Sequence, residues 1–530
     1  MTATTAAGRY RQLEGDRQPF LDRAREASKY TIPTLLPEAG HNGSSKLYTP
    51  FQGMGARGVN NLASKLLLAL LPPNSPFFRL TVDDYTLQEM TGQEGMRATV
   101  EKALSKIERA VMSEIEGSAM RVGAHEALKH LVVAGNVLLY LPKEGGMRVF
   151  RLDRFVVKRD PMGNVLELIV KEDVAPDALP EEIRTAIEAE QSIKGGKRED
   201  QSSDKSVELF TRVWRDGDKW RVQQEAKDKV IPSSKGTYPL DKSPWIALRW
   251  TRIDGEDYGR SHCDEYIGDL KSLEGLSKAI VEGAAVAARV IPLVDPNGTT
   301  DEDDLAEAEN FDFVTGRADD VTFLQVAKFA DFSVAQSTAQ NIEQRLSFAF
   351  MLNTSIQRGG ERVTAEEIRY MAGELEDALG GVYSILSQEM QLPLVSRLMH
   401  TMARAKKLPA LPKGTVKPAI TTGLEALGRG HDLNKLDMFI AGLRDALGPE
   451  VLARSMNVGD YIQRRGAALG IDTDGLIKSP EQQAQEQQQA MMMQMMDKLG
   501  PNAINQMGAG ARQAMEQGNG GSQGQPEPSS

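Results

Sequence analysis

Between Asp264 and Arg289 the apolar positions Tyr266, Leu270, Leu273, Leu276, Ile280, Ala284 and Ala287 step by three or four residues. Between Phe332 and Leu352 the positions Ala335, Ala339, Ile342, Leu346 and Ala349 do the same. That spacing predicts two long helices, each with one apolar stripe. Both stripes are rich in alanine, and small side chains let helices approach closely, in a tight bundle or in an ordinary helical hairpin of a globular domain. The helices bracket a compact insertion, IPLVDPNGTTDEDDLAEAENFDFVTGRADDVTFLQVAK, whose turn residues predict one short helix and a few strands.

The first hundred and thirty residues read as mainly helical. Tyr10, Leu13, Phe20, Leu21, Ala24 and Ala27 follow the 3.6-residue period and Pro33 closes that segment. A second helix is expected from Gly53 to Leu71, a strand in FFRLTV (Phe77 to Val82), and two more helices over 95–117 and 119–134. From Asn136 to Val174 the pattern turns to Val, Leu and Phe punctuated by Gly145-Gly146 and by Pro161-Met162-Gly163-Asn164, which predicts antiparallel hairpins. SIKGGKREDQSSDKS (Ser192 to Ser206) reads as a surface loop or linker, and VELFTRVWRDGDKWRVQQ as a hairpin about Asp216-Gly217-Asp218. A helix from Ala365 to about Gln391 should kink or stop at Pro393. Helices resume near 431–470, followed by a Gln- and Met-rich tract and a tail whose composition predicts disorder. The fold class expected is α+β, predominantly helical.

The stretch QRGGERVTAEEIR, Gln357 to Arg369, places Arg358 and Arg362 around Gly359-Gly360 and then starts a helix with a capping box. Thr364 is the expected N-cap, and Glu367 can reach back to the cap's own N–H. A basic, glycine-bearing loop thus sits between two firmly specified helices.

The 530 residues suit two to four domains. Lys and Arg number 63 against 74 Asp and Glu, a net charge of -11, which argues against tight, non-specific gripping of nucleic acid and leaves only local contacts. One cysteine, Cys263, excludes an internal disulfide framework and multi-cysteine metal patterns, and suits a reducing cytosol. The opening MTATTAAGRYRQLEGDRQ lacks the apolar core of a signal peptide. The run LLLALL, Leu66 to Leu71, is six residues against the roughly 20 needed to span a bilayer, so it reads as the end of a buried helix.

No motif predicts catalysis, a metal or a cofactor. His41, His125, His130, His262, His400 and His431 form no HExxH pattern, and His262-Cys263-Asp264-Glu265 cannot converge because adjacent side chains diverge. KGGKRE at Lys194 lacks the spacing and the Ser/Thr of a P-loop. Asp301, Glu302, Asp303 and Asp304 are the one enzyme alternative, a metal-dependent nuclease or other DNA-processing site. Such sites need carboxylates from separate elements, whereas four in a row are what the positive end of a helix favours, leaving a solvated face or docking surface. A membrane pore would need an apolar span or long barrel strands that the sequence does not offer.

Two segments carry a resemblance. YTPFQGMGARGVNNLASKLLLALLPPNSPFFRL, Tyr48 to Leu80, and NTSIQRGGERVTAEEIRYMAGELE, Asn353 to Glu376, resemble the early segment and the channel-loop region of the portal, or head-to-tail connector, proteins of short-tailed bacteriophages. They lie almost three hundred residues apart in the family's order, and the resemblance covers about residues 8 to 470. It implies a non-enzymatic, dodecameric ring at one capsid vertex whose channel passes double-stranded DNA in packaging and ejection. The implied partners are further copies of the chain, double-stranded DNA without sequence specificity, the terminase packaging motor, major capsid and scaffolding proteins, tail adaptors and internal core proteins, with no stable membrane insertion. The implied location is the head-tail junction of the virion, and the host cytoplasm during assembly.

The resemblance also implies a division of the chain. Residues 1–258 and 365–422 would make a wing, 259–290 and 331–352 two stem helices, 291–330 a clip, 353–364 a channel loop, 423–500 a helical crown and 501–530 a disordered tail. Arg358, Gly359, Gly360 and Arg362 would then form a basic collar anchored by Thr364 and Glu367. Phosphate contacts carry no sequence information, and few of them suit a channel through which DNA slides, since each neutralised phosphate adds a slope of about -0.9 in log K against log salt. Asp301 to Asp304 would dock partners on the clip, and Leu273, Ile280, Ala284, Ile342 and Leu346 would pack subunits together.

Overall fold

The computed structural model describes residues 5–73, 76–81, 96–181, 184–185, 206–287, 291–324, 329–352, 365–408, 419–422, 429–448, 450–451, 456, 458–469, 486 and 488–494. The chain divides into two compact units, Met1–Asp437 and Met438–Ser530. The segments expected to be wing, stem and clip all fall in the first. The second begins inside the stretch expected to be the crown, and its described part is helical, with α-helix at Val458–Leu469.

The first unit is α+β. Helix α1 (Ala6–Lys29) starts at Thr5, whose hydroxyl accepts from the Gly8 N–H at 3.2 Å. Its apolar stripe packs Tyr10 and Leu13 against Val156, Ile169 and Phe210 of the main sheet. Arg17 on the same helix is buried and donates to the carbonyls of Asp153 and Phe155, at 3.0 and 3.1 Å, and to Glu14 Oε1 at 2.9 Å, so its charge is met by backbone dipoles and one carboxylate. Helix α2 (Met54–Leu70) ends in the leucine run, with Leu66, Leu70 and Leu71 buried as a core segment. Helices α3 (Met96–Gly117) and α4 (Met120–Ala134) follow. Gly135, φ +70°, stops α4; a Cβ there would lie 2.6 Å from the Arg260 backbone.

The hairpin region makes two sheets. Strands β2 (Asn136–Tyr140), β3 (Arg148–Phe150) and β9 (Trp245–Arg249) form one, with β2 in the middle. Strands β4 (Phe155–Arg159), β5 (Val165–Val174), β6 (Val207–Asp216), β7 (Lys219–Ala226) and β8 (Lys229–Pro239) form an antiparallel meander. The β6–β7 turn falls at Gly217, φ +58°, where the Asp-Gly-Asp signal places it. A third sheet has no local cause: β1 (Phe78–Thr81) pairs with β12 (Ala419–Thr422), Leu80 opposite Ile420.

The middle of the chain is built from α5 (His262–Glu265), α6 (Ile267–Ala287), β10 (Ile291–Val294), α7 (Glu302–Glu307), β11 (Val321–Leu324) and α8 (Phe329–Ala349). The expected single helix from 264 is interrupted at Tyr266. The expected single helix from Ala365 to Gln391 is also corrected. Helix α9 (Ala365–Ala378) stops at Gly380-Gly381, φ +59° and +90°, and α10 (Val382–Leu386) runs into a π-turn over Ser387–Gln391 before α11 (Leu392–Arg404). Pro393 does not end the helical run: it lies at the start of α11, directly after the π-turn in which the regular i→i−4 ladder is already interrupted.

Candidate functional site

Helices α6 and α8 pack antiparallel. Near the body of the subunit Arg345 Nη2 donates to Asp269 Oδ1 at 2.7 Å; toward the far end the Phe332 ring fills the space over Gly283, where a Cβ would come within 2.3 Å of it. The body half of the pair is mostly core, with Leu270, Leu273, Ile342 and Leu346 at 5 % exposure or less, although Phe348 is 64 % exposed. The far half is not covered: Val281, Val286 and Val334 are more than half exposed. This divides the five residues expected to pack subunits. Leu273, Ile342 and Leu346 are already buried in the chain's own core and have no free surface for a second copy, Ile280 is half-buried, and Ala284 is exposed.

At the body end α8 terminates with unusual thoroughness. Leu352 N–H donates to Ser347 O at 2.7 Å and Met351 N–H to Phe348 O at 3.0 Å, the two bonds of a Schellman motif, with Met351 at φ +55° where glycine is common. Side chains take the next three carbonyls. His262 Nε2 lies 3.0 Å from Ala349 O, Asn61 Nδ2 donates to Phe350 O at 2.9 Å, and both Asn61 Nδ2 (3.1 Å) and Lys65 Nζ (2.8 Å) donate to Met351 O. Carbonyls that a helix end would leave orphaned are thus met from α2 and α5. The Phe350 ring sits on Gly58, where a Cβ would come within 2.5 Å, and meets the His262 ring edge-on at 5.3 Å.

Burial pushes His262 down to about 4, partly opposed by its bond to Ala349 O, so it is a neutral core histidine. Burial also lowers the Lys65 ammonium, which Glu374 counteracts. Cys263 is fully buried and its thiol is pushed up, the opposite of what a nucleophile needs. Glu274 of α6 accepts from the Tyr48 hydroxyl and the Phe51 and Gln52 N–H groups, fixing the segment before α2 to the same helix pair.

The chain leaves this clamp at Leu352 and is next described at Ala365. Arg358, Gly359, Gly360, Arg362 and Thr364 lie outside the described residues; Glu367 is in the first turn of α9, half-buried. Sequence reasoning looked for the loop's anchor on the α9 side and missed Asn61, Lys65 and His262 on the other. A signal existed: Asn61 and Lys65 stand four apart, on one face, among the apolar residues of α2.

At the far end β10 and β11 pair antiparallel, Ile291 opposite Leu324, and close a hairpin around α7. Asp301 caps α7, its Oδ1 accepting from the Asp303 N–H at 2.9 Å, and Glu302, Asp303 and Asp304 fill the exposed first turn. All four carboxylates therefore belong to one helix start. Among the described residues no three His, Cys, Asp or Glu side chains are grouped to hold a metal ion, and no helix is long and apolar enough to cross a membrane.

A cavity of about 680 Å³ lies between the meander and α11, walled by Leu168, Trp220, Trp245 and Leu392, with Arg159 and Glu389 on its polar side. Arg249, 2 % exposed, donates to Glu389 Oε1 at 3.0 Å from below, and burial together with Arg249 pulls Arg159 down to about 10.

A mixed body carrying a helix pair with an acidic hairpin at its tip places the first unit in the α+β class. Comparison with known proteins gives its family. The model for "Bacteriophage head to tail connecting protein" matches residues 3–477. The chain is 46 % identical to the portal protein of Escherichia phage T7 over 495 residues, 92 % of this chain and 91 % of that protein. It is 46 % identical to the portal protein of Enterobacteria phage T3 over 513 residues, 95 % and 93 % of the two chains, and 34 % identical to that of Enterobacteria phage SP6 over 502 residues, 92 % and 94 %. The chain belongs to the bacteriophage head to tail connecting protein family, as the segments Tyr48 to Leu80 and Asn353 to Glu376 imply.

Proposed function

We propose that this connector works as a ring of twelve copies at one capsid vertex, with a central channel that passes double-stranded DNA inward during packaging and outward during ejection. The observation that carries the ring is the far half of the helix pair: Val281, Val286 and Val334 are exposed on helices whose other half, Phe348 apart, is largely core. Apolar surface of that kind on a regular element calls for a cover, and a second copy in a closed ring supplies one at every position. In this reading α6 and α8 are the stem, the β10–β11 hairpin is the clip, the remaining body is the wing and the helices of the second unit belong to a crown. Ile280 and Ala284 are the stem positions left to pack against a neighbour.

The loop between Leu352 and Ala365 faces the channel in this reading, with Arg358 and Arg362 as a basic collar that touches phosphates without reading sequence. The acidic clip receives the packaging motor first and tail adaptor proteins later, while capsid, scaffolding and internal core proteins meet the body. The ring assembles in the host cytoplasm and ends at the head-tail junction.

Negative-stain imaging of the purified protein tests the ring, and a population without a central hole would end the proposal. Arg358→Ala with Arg362→Ala tests the collar. If the two arginines face the channel, rings should form as in wild type, with substitutions of that kind usually costing about 0.5 kcal/mol or less, while DNA retained per particle changes. Normal packaging and retention would reduce the loop to a connector.

A further inference from the structure

The hairpin at the tip carries two side chains for which its own fold has no use. Phe311 and Phe313 are 94 % and 104 % exposed. Phe311 also has φ +80°, at the third position of a turn in which Asp312 N–H donates to Glu309 O at 3.1 Å and Glu309 N–H donates to Asp312 Oδ2 at 2.8 Å. That place in a type II turn favours glycine, so the chain holds a large ring in water on backbone that a phenylalanine adopts at a cost. The base of the loop is tied down. Thr300 Oγ1 accepts from Arg317 N–H at 2.9 Å and donates to Asp320 Oδ2 at 3.0 Å, and Thr299 N–H donates to the same oxygen at 2.8 Å. Gly316 closes against Thr300 so tightly that a Cβ would lie 2.4 Å from its Oγ1. The rings are therefore presented on a fixed base.

Charge decides what can cover them. From residue 291 to 324 ten side chains are Asp or Glu and one, Arg317, is basic, a net of -9 out of -11 for the whole chain. Nucleic acid is repelled by such a surface, and so is the same hairpin of a second copy. The rest of the chain nets -2, so a second copy brings no overall excess of positive charge to meet it.

We propose that Phe311 and Phe313 are the apolar anchors of a docking surface for a separate protein, one whose contact face sets lysines or arginines around an apolar pocket. The proposal rests on reading the hairpin as the place where motor and tail proteins dock, and it names what such a partner must present. Each ring offers roughly 150–250 Å² to bury, the size of an interface hot spot. The surrounding carboxylates act as a rim that steers association and makes it salt-dependent. Repetition around a ring adds avidity without adding contacts.

The test uses assembled rings titrated with the purified packaging-motor subunit and the purified tail-adaptor protein of the same phage, at low and at high salt. Phe311→Gly with Phe313→Ser removes both rings, and glycine suits the backbone at 311, so rings of unchanged mass should form. Affinity for at least one of the two proteins should fall about thirtyfold or more, with its salt dependence kept. Asp301→Asn, Glu302→Gln, Asp303→Asn and Asp304→Asn together, with the phenylalanines intact, should flatten the salt dependence. If the aromatic variant binds both proteins as wild type does while the acidic variant weakens, docking at the hairpin stands and the anchors are refuted. If neither variant changes binding, the docking reading falls as well. Failure of the aromatic variant to form rings would assign the two phenylalanines to a second copy and overturn the proposal.

Discussion

At the body end of the α6–α8 pair, Leu270, Leu273, Ile342 and Leu346 are 5 % exposed or less, and the carbonyls of Ala349, Phe350 and Met351 are each met by a side chain from α2 or α5. At the other end Val281, Val286, Leu293, Phe311 and Phe313 stand 48 % exposed or more beside a run of carboxylates that the fold uses chiefly to start α7. The same two helices thus join a finished region to an unfinished one. Where polar groups are spent on closing a helix end, the chain covers most of its own apolar surface, with Phe348, 64 % exposed, as the exception. Where apolar and charged groups are left over, the proposed ring and its partners would supply the cover. Mutations should separate the two ends cleanly: body-end changes should act on subunit stability, far-end changes on assembly and binding.

The largest effect is expected at Phe350. Its ring lies over Gly58 and against His262, and Phe350→Ala should destabilise the subunit by about 3–5 kcal/mol in denaturant unfolding. The far-end counterpart, Phe313→Ser, should stay within about 0.5 kcal/mol. A loss below about 1 kcal/mol for Phe350→Ala would show that the body end is not the packed one.

Acid should also act at the body end. His262 and His130 are both buried, and burial holds both down to about 4. With unfolded values near 6.5, the unfolded chain binds more protons than the folded one between those limits. Stability is then full above about pH 6.5, falls as pH drops toward 4 and flattens below, by up to about 3 kcal/mol per histidine. His262→Gln, which keeps a donor for Ala349 O, should reduce the slope of unfolding midpoint against pH in that window. An unchanged slope would mean that His262 is not buried neutral.

Asn61→Ala comes next. It leaves Phe350 O without its side-chain donor and Met351 O with Lys65, and should cost about 1–2 kcal/mol. It should also loosen the point from which the chain enters the 353–364 segment, read as altered DNA retention in rings that still assemble. Retention unchanged at the expected stability loss would separate the clamp from the loop's role.

How far the sequence carries the argument depends on the distance over which each feature is specified. The stripes at Leu270, Leu273, Ile342 and Leu346, and the turn at Gly217, are local patterns of period or turn chemistry, and the fold keeps them. The pairing of Leu80 with Ile420, and of Asn61 and Lys65 with Met351 O, joins residues 286 or more apart, and no window of sequence contains both partners. The break at Gly380-Gly381 was legible, but a continuous helix with a proline beyond it was the simpler pattern, and Pro393 drew the boundary to the wrong place. Periodicity also says that a face is buried without saying by which chain. That is why Leu273, Ile342 and Leu346 were expected between subunits and lie within one. The basic loop itself falls outside the described residues, so its reading still rests on the capping box and the family.

The smallest effect on the subunit is expected at Ala284, and it is the sharpest test of the comparison because its two readouts should diverge. Ala284 is exposed on α6, one residue from Gly283, over which the Phe332 ring of α8 packs. A tryptophan there points away from the chain's own core, so unfolding of the isolated subunit should shift by no more than about 0.5 kcal/mol. In a ring the same side chain would meet a neighbouring stem at every interface, and overpacking of about 1–3 kcal/mol per contact repeats around the circle. Sedimentation should therefore find Ala284→Trp as folded subunits or small oligomers, while Ala284→Ser, which adds one small atom, still forms rings. Normal rings from the tryptophan variant would mean that this face of α6 looks toward open solvent, and the cover for Val281 and Val286 would have to be sought in a partner of another kind.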